Sequence, residues 1–340
     1  LKRSLPLFVL WFALAGVVSH LAGQTTHRLT PTPETVQCGF FDASVPPAVT
    51  VRSGDILEVE TLPAVGSVTL EAGGLPPVEV PAALRELERE VKRPRVDTHI
   101  LAGPVFVEGA EPGDVLEVRV LSVRVALPYA VNFWGPGGGF LYDEFPYARS
   151  VRVPLDLDRN VAKFAEGIEI PLKPFFGVMG VAPPLQTGRI GSGPPWVHGG
   201  NMDNQELGEG ATVYIPVHAK GALFSVGDGH AAQGDGELCG TALETGLHGK
   251  LQLIVRKDLS LRWPRAETAT HYVTMGFHEN LEQAARIATL EMLDYLVEEK
   301  GLSRDRAYIL ASDAVDLRIT QLVDGKKGVH AMLPKALFVK

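Results

Sequence analysis

Sustained helical periodicity is confined to the C-terminal end of this 340-residue chain, and most of what precedes it reads as strands. Leu281, Ala285, Ala288, Met292 and Leu296 recur on one helical face, and Gly301 supplies a stop. Ser303 can cap a second helix, with Ala307, Leu310, Ala311, Ala314 and Leu317 along one side. Upstream, Thr35 to Phe41, Val49 to Val51 and Ile56 to Thr61 are short runs rich in β-branched and aromatic residues, with a turn at Ser53-Gly54-Asp55. A second Gly-Asp, at Gly113-Asp114, precedes VLEVRVLSVRV, the alternation of a half-buried antiparallel strand. Strands resume at Ala211 to Val217, Ala222 to Val226 and Leu251 to Arg256, while Ala82 to Lys92 reads as a short inserted helix. Many strands followed by two helices predict an α+β, β-rich fold of antiparallel sandwich or barrel-like lobes with a C-terminal two-helix α/β segment.

The expected boundaries are a leader over residues 1–23, a β-rich lobe over 24–150, a second over 151–262 and the α/β segment over 263–340. Lys2 and Arg3 precede an apolar run from Leu5 to Val18, and Gly23 offers a cleavage point, the three-part pattern of a secretory signal peptide. That run is too short for the roughly 20 residues a membrane span needs. The mature protein is therefore expected to be soluble, free of the membrane, and secreted or periplasmic. A net charge of −8 argues against nucleic acid and anionic membranes as partners. Two cysteines are too few for a disulfide framework, although a Cys38–Cys239 bridge is open to an exported protein. No GxGxxG, Walker A or GxSxG pattern follows a strand, which sets nucleotide and serine-hydrolase chemistry aside.

Polar residues converge in Gly227-Asp228-Gly229-His230-Ala231-Ala232-Gln233-Gly234-Asp235-Gly236-Glu237, directly after ALFSV. Asp228 and His230 are two apart, so on extended backbone they face the same side and form a corner suited to zinc or another divalent ion. A glycine-rich hairpin with solvated acids is the bland alternative. Gly199-Gly200-Asn201-Met202-Asp203-Asn204 offers Asp203 as a further ligand and Asn201 as a substrate contact, though Asn and Asp are also turn residues. His99, before Gly103-Pro104, can serve as ligand or proton donor, and Glu108 is a buried-carboxylate candidate. Cys239 could act as a nucleophile, but no Cys-His pair is evident beside it. Glycine-rich stretches at Gly135 to Gly139 and Gly188 to Pro195 read as surface loops or a site mouth.

Five strings together resemble the acetamidase/formamidase family: THILAGPVFVEGAEPGDVLEV, GGNMDN, VYIPV, LFSVGDGHAAQGDGELCGTALE and DLRITQLVDGKKGVHAMLPKALF. They run through nearly all of the chain after the leader, and SVGDGHAAQGDGE is long and specific. CGFFDA, where an aromatic residue is expected in place of Cys38, departs from the family pattern, as does the leader. The resemblance implies hydrolysis of short aliphatic amides of the formamide or acetamide type to carboxylate and ammonia. It also implies a β-rich fold, a divalent metal (zinc, with calcium or another ion as alternatives) and a homo-oligomer. Asp203, Asp228, His230, Asp235 and Glu237 match its characteristic polar positions. On chemical grounds Asp203, Asp228, His230 and His99 are the expected metal ligands. Glu237, Glu108 and Asp235 are the expected catalytic acids or bases, and Asn201 and Gln233 the substrate contacts. The alternatives are a cysteine amidase using Cys239 and a secreted β-rich binding protein stabilised by calcium.

Overall fold

The computed structural model describes residues 24–91 and 99–339. The leader expected over residues 1–23 lies outside them, as do Lys92 and residues 97–98.

Two large sheets carry the architecture. The first has nine strands and runs from Thr26–Leu29 through Ile56–Glu60, Leu247–Arg256, Val115–Val125, Thr212–Pro216, Arg265–Glu267, His271–His278 and Lys327–Pro334 to Asp316–Gln321. Every pairing in it is antiparallel except that of the first two strands. The second has eleven, with Phe224–His230 at its centre between Phe175–Gly180 on one side and Ile100–Glu108 and Glu244–Thr245 on the other. Segments 24–150 and 151–262 each contribute strands to both sheets.

Alternation decides which side chains go inward. In Val115–Val125, Val118, Val120 and Val123 are buried, whereas Arg119, Leu121 and Arg124 point to solvent. Leu57, Val118, Val213 and Leu253 of the first sheet meet Val105, Phe176, Met179 and Val226 of the second in one apolar core. Each such side chain is worth roughly 1.5–3 kcal/mol on burial. A smaller core forms where helices Ser67–Ala72 and Ala82–Glu90 set Leu70, Leu84 and Leu87 against Ile100, Tyr129 and Val131.

The C-terminal helices follow the sequence pattern, except that the second ends at Ala314 and Leu317, expected on its face, lies exposed in strand Asp316–Gln321. Leu281–Glu298 begins at Asn280, whose side chain accepts the Gln283 N–H, and Arg304–Ala314 begins at Ser303, which accepts that of Arg306. Ala284, Ala288, Met292 and Leu296 pack on Val329, Ala331 and Leu333 of the neighbouring strand. Leu281 and Ala285 sit at the margin of that contact. Gly276 permits it, because a Cβ there would stand 2.6 Å from the Ala288 nitrogen.

Candidate metal centre

Strand Phe224–His230 takes up the first four residues of the glycine-rich string, Gly227-Asp228-Gly229-His230, and the rest of the string, through Glu237, leaves the strand as a loop. The strand's glycines answer to crowding. A Cβ on Gly229 would lie 2.6 Å from both the Thr245 oxygen and Leu247 Cγ, and one on Gly227 would collide with the Ile100 carbonyl. Only glycine lets three strands close around this point.

Three of the carboxylates gathered here sit on left-handed backbone: Asp203 at φ 46°, Asp228 at φ 56° and Glu237 at φ 44°. Non-glycine residues avoid that region, at a cost on the order of 1–3 kcal/mol each, and such strain concentrates at functional sites. Asp203 follows strand Gly199–Asn201 and is tied by its N–H to the Gly177 carbonyl, 3.1 Å away. Glu244 pairs with His230 across adjacent strands. Asp324 comes from the loop after Asp316–Gln321, where Gln321 Oε1 accepts the Val323 and Asp324 N–H groups.

These groups converge on His230. Its Nε2 lies 3.1 Å from Asp228 Oδ2, 3.2 Å from Glu244 Oε1 and 4.0 Å from Glu237 Oε1, yet makes no aligned hydrogen bond. Its Nδ1 donates to Gln233 Oε1 at 2.9 Å, and Gln233 Nε2 donates to the Asp203 carbonyl at 2.7 Å. The brace leaves Nε2 facing the acids. Three overlapping sets of donor atoms each fall within 4.8 Å: Asp203, Asp228 and His230; His230, Glu237 and Glu244; Asp203, Glu237 and Asp324.

So dense a set of buried acids is electrostatically unbalanced. Among the described residues, the imidazoles of His230 and His99 are the only basic side chains within 4.0 Å of these carboxylates. Burial, then the neighbouring Glu237 charge, pushes the Asp203 carboxyl well above its usual range. Burial and Asp324 do the same to Glu237, burial raises Glu244, and burial carries Asp324 up to about 6. Burial opposes ionisation of Asp228 too, but His230 and His99 overcome it and lower its pKa. For His230, burial is outweighed by Glu244 and Asp228, which hold the imidazole well above its ordinary value.

Both Asp203 oxygens, His230 Nε2, Glu244 Oε2 and Asp324 Oδ2 are buried without hydrogen-bond partners among the described residues. Gly177 borders the space they face: a Cβ there would be 2.5 Å from Asp203 Oδ1, 3.0 Å from His230 Cε1 and in collision with Asp228 Oδ2. Orphaned carboxylate oxygens and one imidazole around a place kept clear of carbon suit a hard or borderline divalent cation.

The other candidates lie differently. His99 stands at the rim with its side chain 20% accessible, Nδ1 bonded to Ser192 Oγ at 2.9 Å and Nε2 4.0 Å from Asp228, outside all three donor sets. Asn201 is buried with Oδ1 unpartnered. Gln233, expected to touch substrate, spends its amide oxygen and one amide N–H on the brace instead. Asp235 is exposed and bound to Arg318 Nε at 2.6 Å. Glu108 is not buried: it ends strand Ile100–Glu108, seven residues beyond Leu101, the partner of Gly227. At ~3.3 Å per residue it is far from the cluster. Among the described residues, Cys239 Sγ is hydrogen-bonded to Asn132 Oδ1 and the Thr241 carbonyl and to no base, and Cys38 and Cys239 are not bridged to each other. Glu244, Asp324 and Gly177 went unrecognised as site residues, although the first two stand within the GELCGTALE and QLVDGKKG strings.

A profile of the Acetamidase/Formamidase family matches residues 35–187 and 186–340. An acetamidase of Mycolicibacterium smegmatis is 30% identical over 44% of this chain, and the chain spans about half (51%) of that relative's length. A formamidase of Methylophilus methylotrophus is 29% identical, over 66% of this chain and 73% of its own. The crystal structure of a predicted acetamidase/formamidase from Thermoanaerobacter tengcongensis superposes with a TM-score of 0.79 at 33% identity, covering 93% of this chain and 97% of that one.

Proposed function

The chain belongs to the acetamidase/formamidase family, and from that premise we propose that it is a metal-dependent amidohydrolase, cleaving amides of the formamide or acetamide type to carboxylate and ammonia. The observation that carries the reading is the set of buried, unpartnered oxygens of Asp203, Glu244 and Asp324 beside His230 Nε2. Asp203, Asp228 and His230 would hold the cation, with Glu244 and Asp324 within reach of it. A divalent ion such as zinc supplies Lewis-acid polarisation of a carbonyl and lowers the pKa of water toward about 7. An amide needs both, being a poor electrophile with a poor leaving group.

The remaining work falls to the chain. Glu237, strained and enclosed among the other acids, would take the proton of the attacking water and return it to the departing nitrogen once a bound cation offsets the burial and neighbouring charge that raise its pKa. Gln233 holds His230 in the tautomer whose Nε2 is free for the cation. Asn201 offers an unpartnered carbonyl oxygen to an amide N–H. His99, bonded through Nδ1 to Ser192 Oγ and partly exposed, would meet substrate from the solvent side.

Ammonia release from formamide, acetamide and propionamide tests the reading, before and after chelation and after zinc is restored. Activity lost on chelation and regained with zinc is the expected result. Turnover indifferent to thorough metal removal would overturn it.

A further inference from the structure

Beyond Gly135 to Gly139 the chain exposes Phe140, Leu141, Tyr142, Phe145 and Tyr147, each between 43% and 57% accessible. Leu238, at 54%, adds to them from the segment next to Glu237. Contiguous apolar surface of this kind marks a ligand groove or an interface. The loop is clamped to the metal centre's own strand connection. Phe140 N–H donates to the Leu238 carbonyl at 2.7 Å, and Gly139 lies so close to Cys239 that a Cβ would stand 3.1 Å from its oxygen. Asn132 Nδ2 bonds the Thr241 and Ala242 carbonyls, both at 2.9 Å. The clamped stretch is thus bracketed by Glu237 and Glu244, two carboxylates of the centre. Ile100, next to His99, packs in the same small core as Phe133 at the base of the loop. Behind the surface, Phe145 and Tyr147 rest on Trp134 with ring centroids 6.0 Å away.

We propose that this aromatic loop seats the apolar tail of the substrate, so that the centre takes amides of medium-chain or arylalkyl acids in preference to formamide and acetamide. The inference rests on the amidohydrolase reading and names its substrate class. Asp143 and Glu144, exposed on the same loop, make it a poor seat for an anionic tail.

The test is kcat/KM for ammonia release from formamide, acetamide, hexanamide and phenylacetamide, with the wild-type protein and a Phe140→Ser, Tyr142→Ser double variant of unchanged melting temperature. Phenylacetamide is expected to exceed acetamide by about tenfold or more. The double variant is expected to lose about tenfold on the two long amides and less than about twofold on the two short ones, which have no tail to reach the loop. A wild-type series that falls with chain length would overturn the proposal. So would a variant that lowers every amide alike, or one that changes the particle mass in solution and leaves the series untouched, which would assign the patch to a second copy of the chain. Failure of the underlying amidohydrolase reading looks different: no amide of any length releases ammonia.

Discussion

Glu117 and Asp203 are equally buried, each 1% accessible, and their surroundings are opposite. Glu117, on strand Val115–Val125, receives Arg119 Nε and Arg256 Nη1, both at 2.6 Å. Asp203 receives no donor on either oxygen among the described residues. Glu117 sits on ordinary extended backbone, whereas Asp203 is held at φ 46°. Burial alone therefore says little about function. A buried acid with its own guanidinium is a structural element, and a strained buried acid without one has been kept for something that arrives from outside.

Removing the unpaired side of this contrast should have the largest effect. Asp228→Ala and His230→Ala are each expected to lower turnover about a thousandfold or more, on the order of 4 kcal/mol of transition-state stabilisation, with loss of bound metal in elemental analysis. Retained activity in either would remove that residue from the centre. Gly177→Ala sharpens the point without altering any donor, because its Cβ enters the space beside Asp203 Oδ1. Metal binding is expected to fail and turnover to fall about a hundredfold, ~3 kcal/mol, while circular dichroism stays unchanged.

The paired side should respond in stability and not in chemistry. Glu117→Ala leaves Arg256 and Arg119 facing each other, and since both are partly solvated the expected loss is about 2–3 kcal/mol in urea titration. Its kcat below the melting transition should match the wild type, and a large fall there would blur the distinction. A third kind of buried polar group is neutral by burial. His198 is fully enclosed with both ring nitrogens unpartnered, and desolvation takes its pKa down to about 3. A depressed folded-state pKa means that the unfolded chain binds the proton first as pH falls below about 6.5, so stability drops from there down toward the folded value. Between pH 7.5 and 5 the drop should be about 2 kcal/mol, and a His198→Phe variant that still folds should lack it.

What could be read from sequence alone follows from how local each signal is. The helix cap at Ser303 and the alternation of VLEVRVLSVRV are local, and they stand in the fold. Asp228 and His230 share one strand, so their two-residue spacing already placed them together. Glu244 reaches His230 only through strand pairing, and Asp324 arrives from a loop beyond the far edge of the other sheet. Both stand within strings that carry the family resemblance, and nothing else in their neighbourhoods along the chain distinguishes them from turn acids. Glu108 misled for the converse reason. Its surrounding VEGAEPGD resembles a buried corner, but the strand it ends has by then run away from the centre. Gly177 could not be inferred at all, because its role is the absence of a Cβ at a point defined by two other strands.

The central claim is that the unpaired acids around His230 exist to hold a divalent cation. The most direct measurement is the metal content per chain of protein purified without chelator, for the wild type and for an Asp203→Ala variant of matched circular dichroism. The account predicts about one or more divalent ions per wild-type chain and their loss in the variant, because coordination neutralises the buried charge. A wild-type protein that is metal-free, declines zinc and calcium at millimolar concentration and still releases ammonia would contradict it.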